Sequence, residues 1–261
     1  MSQILYQFSE GRFVALEWCD PTRQTTLVAD SFRVEDGSVV GWSRHVERFT
    51  RSVISHTDID ADRVAAFISG LREMIPREGS WFPRIEAVET PGGATLRYRQ
   101  RPAPAWETEV VLARASRDPR RFPHLKGPDL EALLALRAEV APVGASEAII
   151  TTADDELVEG AYSSLMIWLP GEHGPTVISP SIPHLPGVTE SVIRDEARRE
   201  GFAVAERSLA VSDLAGAEVW ILSALHGIRV ATAFIDGPPL SVVPGRREEW
   251  QEKWHSASEQ F

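Results

Sequence analysis

Along the first hundred or so residues, short apolar runs at 13–18, 28–34, 81–88, 95–99 and 110–113 alternate with polar positions, which predicts strands. Two stretches between them switch to a helical period. Val64, Phe67, Ile68, Leu71 and Ile75 fall on one face of a helix that follows Asp60-Ala61-Asp62 and is ended by Pro76. Residues 42–54 predict a second helix that buries Val46, Phe49 and Val53 and carries His45, Arg48 and Ser52 on a different face.

Beyond a polar, arginine-rich stretch at 114–121, a helix is expected from Pro128, with Leu130, Leu133, Leu134, Arg137 and Ala141 in one stripe. Strand-like runs follow at 148–151, 165–169, 176–179, 202–205, 219–223 and 227–231, with one strong helix at 189–200 closed by Gly201. Strands outnumber helices, so the class is α+β with a mixed, barrel-like sheet rather than a doubly wound one. The division expected is a small N-terminal α/β lobe at 1–115, a linker at 116–122, a larger lobe at 123–244 and a charged tail helix at 245–261. Trp250 and Trp254 stand four residues apart on that tail and are expected to dock on their own chain.

Composition narrows the function classes. A 261-residue chain that is 43% hydrophobic can fill a core, and a net charge of -11 is repelled by nucleic acid and by anionic membranes. The lone Cys19 cannot close an intramolecular disulfide, which fits a reducing compartment, and reads as a small buried hydrophobe. No basic-then-apolar leader opens the chain, and no uncharged apolar run reaches the roughly 18–20 residues of a membrane helix, so a cytoplasmic protein is expected. The histidines lack metal-site spacing, and Walker, dinucleotide and nucleophile-elbow motifs are absent, so no metal is expected. More pointed is the lysine usage: of 27 basic side chains only Lys126 and Lys253 are lysines. Arginine supplies fixed charge but cannot lose its proton to attack a carbonyl. Lys126 is therefore either a candidate nucleophile or a leftover surface charge.

Two further features carry chemistry. Leu185-Pro186-Gly187-Val188-Thr189 is a glycine turn running into a helix, where the amides of Val188 and Thr189 and the Thr189 hydroxyl hold an anion, or where Thr189 is only the N-cap. Glu159 closes the run Leu157-Val158-Glu159 ahead of Gly160, Ala161, Tyr162, Ser163 and Ser164, either as an exposed loop acid or as a buried partner for a cationic ring.

In order, Lys126, Gly144-Ala145-Ser146-Glu147-Ala148, Glu159-Gly160 and Leu185-Pro186-Gly187-Val188-Thr189 reproduce a lysine, a G-x-x-E-A strand, a glutamate before small residues and an L-P-G-x-T turn. Arg33-Val34-Glu35-Asp36-Gly37, His45-Val46-Glu47-Arg48-Phe49, Ala217-Glu218-Val219 and Ile235-Asp236-Gly237 extend the pattern. With these motifs the chain resembles the class IV aminotransferases over about residues 30–237, the family of branched-chain and D-amino-acid aminotransferases and of 4-amino-4-deoxychorismate lyase.

The resemblance implies a two-lobe fold-type IV enzyme, a homodimer, with pyridoxal 5′-phosphate as cofactor. Lys126 would carry the cofactor as a Schiff base and move a proton between the substrate Cα and the cofactor C4′, while Glu159 would pair with the pyridine nitrogen. The phosphate would sit among Arg48, the amides of Val188 and Thr189, and the turn at Ser223 and Ala224. Arg97 and Arg99, alternating on one strand, are candidates for a substrate carboxylate, unless their face meets only solvent. The chain departs from the family in Leu222-Ser223-Ala224-Leu225, where T-G-T-A is common, and in Glu190, where arginine is common. The reaction expected is amino transfer between an amino acid and a 2-oxo acid. The alternatives are the lyase reaction that releases pyruvate, which the stretch Ser223-Ala224-Leu225-His226 favours, and a non-catalytic cofactor-binding protein.

Overall fold

A computed structural model describes residues 3–16 and 25–261. Cys19 and the end of the strand expected at 13–18 lie outside these residues. Chain contacts divide the protein into two units, Met1–Ala105 with Leu125–Pro128 and Ser258–Phe261, and Trp106–His124 with Asp129–Ala257. Residues 116–122 thus belong to the second unit, and the short segment that carries Lys126 belongs to the first.

The first unit contains β1 (Ile4–Ser9), β2 (Arg12–Leu16), β3 (Thr26–Ser31), β4 (Val34–Glu35), β5 (Ser38–Val40), β6 (Ser80–Trp81), β7 (Arg84–Thr90) and β8 (Gly93–Gln100), with helices α1 (Trp42–His56) and α2 (Ala61–Met74). Its main sheet is antiparallel in the order β2-β1-β8-β7-β3. A smaller sheet joins β5, β4 and β6 to the last strand, Ser258–Gln260. Alternation sends Ile85, Ala87, Leu96 and Tyr98 into one core with Phe49, Val53, Phe67 and Leu71 of the helices. Asp60 caps α2 by accepting the Arg63 N–H at 2.7 Å.

In α1 the buried face differs from the one expected. It is formed by Trp42, His45, Phe49 and Val53, with Val46 only partly covered. His45 turns inward because a buried acceptor on β3 awaits it, so a polar residue occupies a core position that an apolar pattern does not reveal.

The second unit holds β9 (Glu109–Arg114), β10 (Glu147–Thr151), β11 (Leu157–Gly160), β12 (Ser164–Trp168), β13 (Thr176–Ile178), β14 (Ala205–Arg207), β15 (Glu218–Ser223) and β16 (Gly227–Phe234), with α3 (Leu130–Val140), α4 (Val188–Arg199) and α5 (Arg246–Ser256). These strands form one curled mixed sheet in the order β11-β10-β9-β16-β15-β12-β13-β14. Pairing is parallel at β9/β10, β9/β16 and β13/β14.

Two expectations shift here. On α3 the residues that go inward are Leu136 and Val140, whereas Leu134 is 57% exposed. Arg137 sets that rotation: it donates to the Ser146 carbonyl at 3.0 Å and lies over the Tyr162 ring. The strand expected at 202–205 begins only at Ala205. The Phe202 N–H is used by the end of α4, where it donates to the Ala197 carbonyl, and cannot join a ladder.

Helix α5 docks on its own unit. Trp250 meets Trp168, Trp220 and Phe202, and Trp254 packs against Trp106. On the outer side of α5, Lys253 pairs with Glu200 and Glu249, each at 3.0 Å. No helix among the described residues is long and apolar enough to cross a membrane. Truncating Trp250 empties the centre of the aromatic cluster, so Trp250→Ala is expected to lower the unfolding free energy by about 3–5 kcal/mol in urea titration. A loss below about 1 kcal/mol would show that α5 adds little to this core.

Candidate active site

Residues 125–128 run beside β3, the last strand in the order of the main sheet of the first unit. The Ala29 N–H donates to the Lys126 carbonyl at 2.7 Å, and Leu125 inserts into the core. The following residue must be glycine. Gly127 has φ +147°, and a Cβ there would lie 2.8 Å from Val28 Cα and 3.0 Å from the Ala29 nitrogen. The main chain of Lys126 is thereby held against a strand.

Next to Ala29, Asp30 is fully buried, and its two oxygens hold α1 in place. Oδ1 accepts from His45 Nδ1 at 2.9 Å and from Arg48 Nη2 at 2.8 Å, while Oδ2 accepts from Arg48 Nε at 2.8 Å. Burial alone would raise the Asp30 pKa, but Arg48 and His45 outweigh it and hold the carboxyl far below its usual range. Burial pushes His45 down, and the charges of Arg48 and Lys126 act in the same direction against the pull of Asp30. The expected phosphate ligand Arg48 is thus aimed by a two-point pair with Asp30.

Arg97 and Arg99 do share one face of β8, and that face is lined with charge. Glu86, buried on β7, pairs with Arg84 at 2.7 Å and with Arg99 at 3.3 Å, and Arg97 lies directly opposite Glu86 in register. Arg97 is buried and its Nη2 reaches Gln7 Oε1 at 3.5 Å.

In the second unit Glu159 is a buried strand residue, not a loop acid. Its Oε1 accepts from Arg120 Nη1 and its Oε2 from the Leu185 N–H at 3.2 Å, so one carboxylate ties β11 to the turn that opens α4. Burial raises its pKa, opposed by Arg120, by the Leu185 amide and by His184. In that turn Gly187 lies close against β12: a Cβ there would come within 2.3 Å of Ser164 Oγ, which would have to turn away. Gly187, not Thr189, is the N-cap, and the Ser191 N–H makes the first helical bond to the Gly187 carbonyl at 3.0 Å. The Val188 and Thr189 amides precede that bond, at the positive end of the helix dipole.

Strand pairing brings the remaining candidates to the same end of the sheet. Ser164 pairs with Leu222, Ser223 ends β15 next to it, and Ala224 opens the β15 to β16 turn. Ser223 Oγ accepts the His226 N–H at 3.3 Å, which leaves its own proton to donate. Glu159, Val188, Thr189, Ser223 and Ala224 therefore lie on adjoining segments. A cavity of about 370 Å³ along α4, past Gly187, Glu190 and Arg194, is lined by none of them.

Sequence reasoning misses four of these buried groups. Asp30 sits inside the apolar run 28–34 and His45 reads on a different face; Arg120 is hidden in an arginine-rich stretch. Glu147 is legible only as part of a motif, yet it is fully buried, paired with Arg229 at 3.4 Å and bonded to Ser163 Oγ at 3.1 Å in the turn after Glu159. Glu190, a departure without an interpretation in the sequence, lies in the interior and pairs with Arg194 at 3.4 Å. No cluster of three metal-ligating side chains occurs among the described residues.

Residues 27–234, well over half of the chain, match the family described as amino-transferase class IV. The chain belongs to the class IV aminotransferases. Solved structures of the class share its fold at low identity. A hypothetical aminotransferase from Mycobacterium tuberculosis in its PLP-bound form is 20% identical, with 98% of each chain covered and a TM-score of 0.79. A fold IV-transaminase from Curtobacterium pusillum is 18% identical, covering 96% of this chain and 98% of its own, with a TM-score of 0.79. The branched-chain aminotransferase from Thermoproteus uzoniensis, a thermophilic archaeon, with norvaline, is 18% identical, covering 97% of this chain and 93% of its own, with a TM-score of 0.76. No protein of curated description matches the sequence.

The buried Asp30 gives the class IV fold here a measurable acid limit. Because its pKa is depressed on folding, its contribution is present above the unfolded value of about 3.9 and is lost as pH falls below it. Asp30→Asn, which leaves Arg48 without its carboxylate, is expected to cost roughly 3–5 kcal/mol at neutral pH. The variant should also show a shallower loss of stability than wild type between about pH 4 and pH 2. Equal slopes for the two proteins in acid denaturation would contradict this role.

Proposed function

We propose that the chain transfers an amino group between an amino acid and a 2-oxo acid, with Lys126 as the residue that attaches pyridoxal 5′-phosphate. The observation that carries this reading is the hydrogen bond from the Leu185 amide to Glu159, which links a buried carboxylate to a helix N-terminus. That pairing suits a ligand with a basic ring nitrogen and a phosphate. The donor set fits on chemical grounds: a carboxylate for the nitrogen, and the Val188 and Thr189 amides, the Ser223 hydroxyl and the Arg48 guanidinium for a dianion. Ala224 offers only its backbone amide where many relatives have a hydroxyl.

The cofactor, when bound, supplies an electron sink for the carbanion formed at the substrate Cα. The protein's own residues do the rest. Lys126 Nζ would hold the cofactor, and its amine would serve as the base that takes up the substrate Cα proton and gives it back. Its main chain cannot follow, because β3 and Gly127 fix it, so only the side chain swings. Glu159 keeps the ring nitrogen protonated. Arg97 and Arg99, on the charged face of β8, are assigned to the substrate carboxylate.

The test is the visible absorption of the purified protein with added cofactor, beside Lys126→Ala, before and after borohydride. Wild type is expected to show a band that the variant lacks and that reduction fixes on Lys126. Turnover of a panel of amino donors with oxo acids supports amino transfer, whereas pyruvate release from aminodeoxychorismate alone would make the chain a lyase. A colourless wild type would end both readings.

A further inference from the structure

A guanidinium and an imidazole face Glu159, from Arg120 and His184, together with the Leu185 amide from the turn beside it. Arg120 is held from its other side as well. Its Nε and Nη2 donate to the two oxygens of Asp118 at 2.8 and 2.7 Å, and Nη1 reaches the Pro183 carbonyl at 2.9 Å as well as Glu159. The Arg120 backbone N–H closes the same loop onto Asp118 Oδ1 at 3.0 Å. The Arg120 side chain is 6% exposed and that of Glu159 10%, while Asp118 is at the surface with 38%. A surface carboxylate thus grips a buried guanidinium, which in turn meets a buried carboxylate. Because the five guanidinium donors lie in one plane, the fork on Asp118 fixes the direction of Nη1.

We propose that Arg120, clamped by Asp118, is a positioning residue that holds Glu159 as an anion for the ring nitrogen of the bound cofactor. The inference rests on the reading of Glu159 given above. A carboxyl group and a pyridine nitrogen in a site closed to water share one proton, and two arrangements compete for it. Burial favours the neutral pair with the proton on oxygen. A fixed cation at hydrogen-bond distance from the carboxylate favours the charged pair, with the proton on nitrogen, which is the form that draws electrons from the substrate. Lysine at position 120 would supply the charge but not the fork, and an unclamped arginine would be free to turn toward solvent.

Two measurements separate this proposal from the reading on which it rests. In the cofactor-free full chain, difference infrared spectroscopy follows protonation of the Glu159 carboxyl, with Glu159→Gln identifying its band. Arg120→Met is expected to raise the midpoint by about one pH unit or more, a tenfold shift in that equilibrium. Arg120→Lys should shift it less. Asp118→Asn, a surface change that keeps every buried charge, should give an intermediate value, and it serves should Arg120→Met fail to fold. With cofactor carrying nitrogen-15 in the ring, the nuclear resonance of that atom should sit at the protonated position in wild type and move toward the unprotonated one in Arg120→Met, while attachment to Lys126 persists. Unchanged Glu159 midpoints in Arg120→Met and Asp118→Asn overturn the proposal even if the cofactor binds normally. A wild type that never takes up the cofactor defeats the earlier reading and the ring-nitrogen half of this one, and the infrared titration still decides whether Arg120 holds Glu159 ionised.

Discussion

Every carboxylate that this fold removes from water, among the described residues, is met by a guanidinium: Asp30 by Arg48, Glu86 by Arg84 and Arg99, Asp129 by Arg121, Glu147 by Arg229, Glu159 by Arg120, Glu190 by Arg194 and Glu218 by Arg246. The rest of the structure depends on that matching. A buried charge without its partner costs several kcal/mol, more than most single apolar contacts return, so each acid dictates where an arginine must come from. Arginine suits the task because its charge does not titrate in the working range and its fork takes both carboxylate oxygens. The pairs also join elements distant in sequence: β3 to α1 through Asp30, and β11 to the loop at 118–120 through Glu159.

In both units the groups proposed for chemistry are held by main-chain contacts as well as by their own side-chain partners. The Lys126 carbonyl is bonded to β3, and Glu159 stands on β11 with one oxygen on the amide of the turn into α4. Sites built this way keep their geometry when surface loops change, since strands and helix ends hold the reacting groups. Gly127 serves the same end, letting residues 125–128 lie against β3 at a separation no side chain permits.

Much of this was legible in the sequence where one physical rule dominated. Helix α2 shows an uninterrupted apolar stripe with an acidic start and a proline stop, and its extent agrees with that pattern. The strand segments of the second unit are β-branched and apolar and are found near their expected places. The failures share a cause: they depend on polar partners far along the chain. His45 faces inward because of Asp30, and Arg137 turns α3 through the carbonyl of Ser146. Arg120 reads as one of several solvated arginines, and no periodicity distinguishes it from Arg117 or Arg121. Lys126 stands out for the opposite reason, since it is one of only two lysines among 27 basic residues.

That scarcity has a bearing on self-inflicted damage. Aldehydes condense with any deprotonated amine, and the cofactor proposed for Lys126 is an aldehyde. This chain offers two lysine side chains in all, and the second is guarded. Slight burial pulls the Lys253 pKa down, but Glu249 and Glu200 outweigh it and raise it, keeping that amine charged and slow to condense. Using arginine in place of lysine therefore leaves simple aldehydes few side-chain amines on which to form imines.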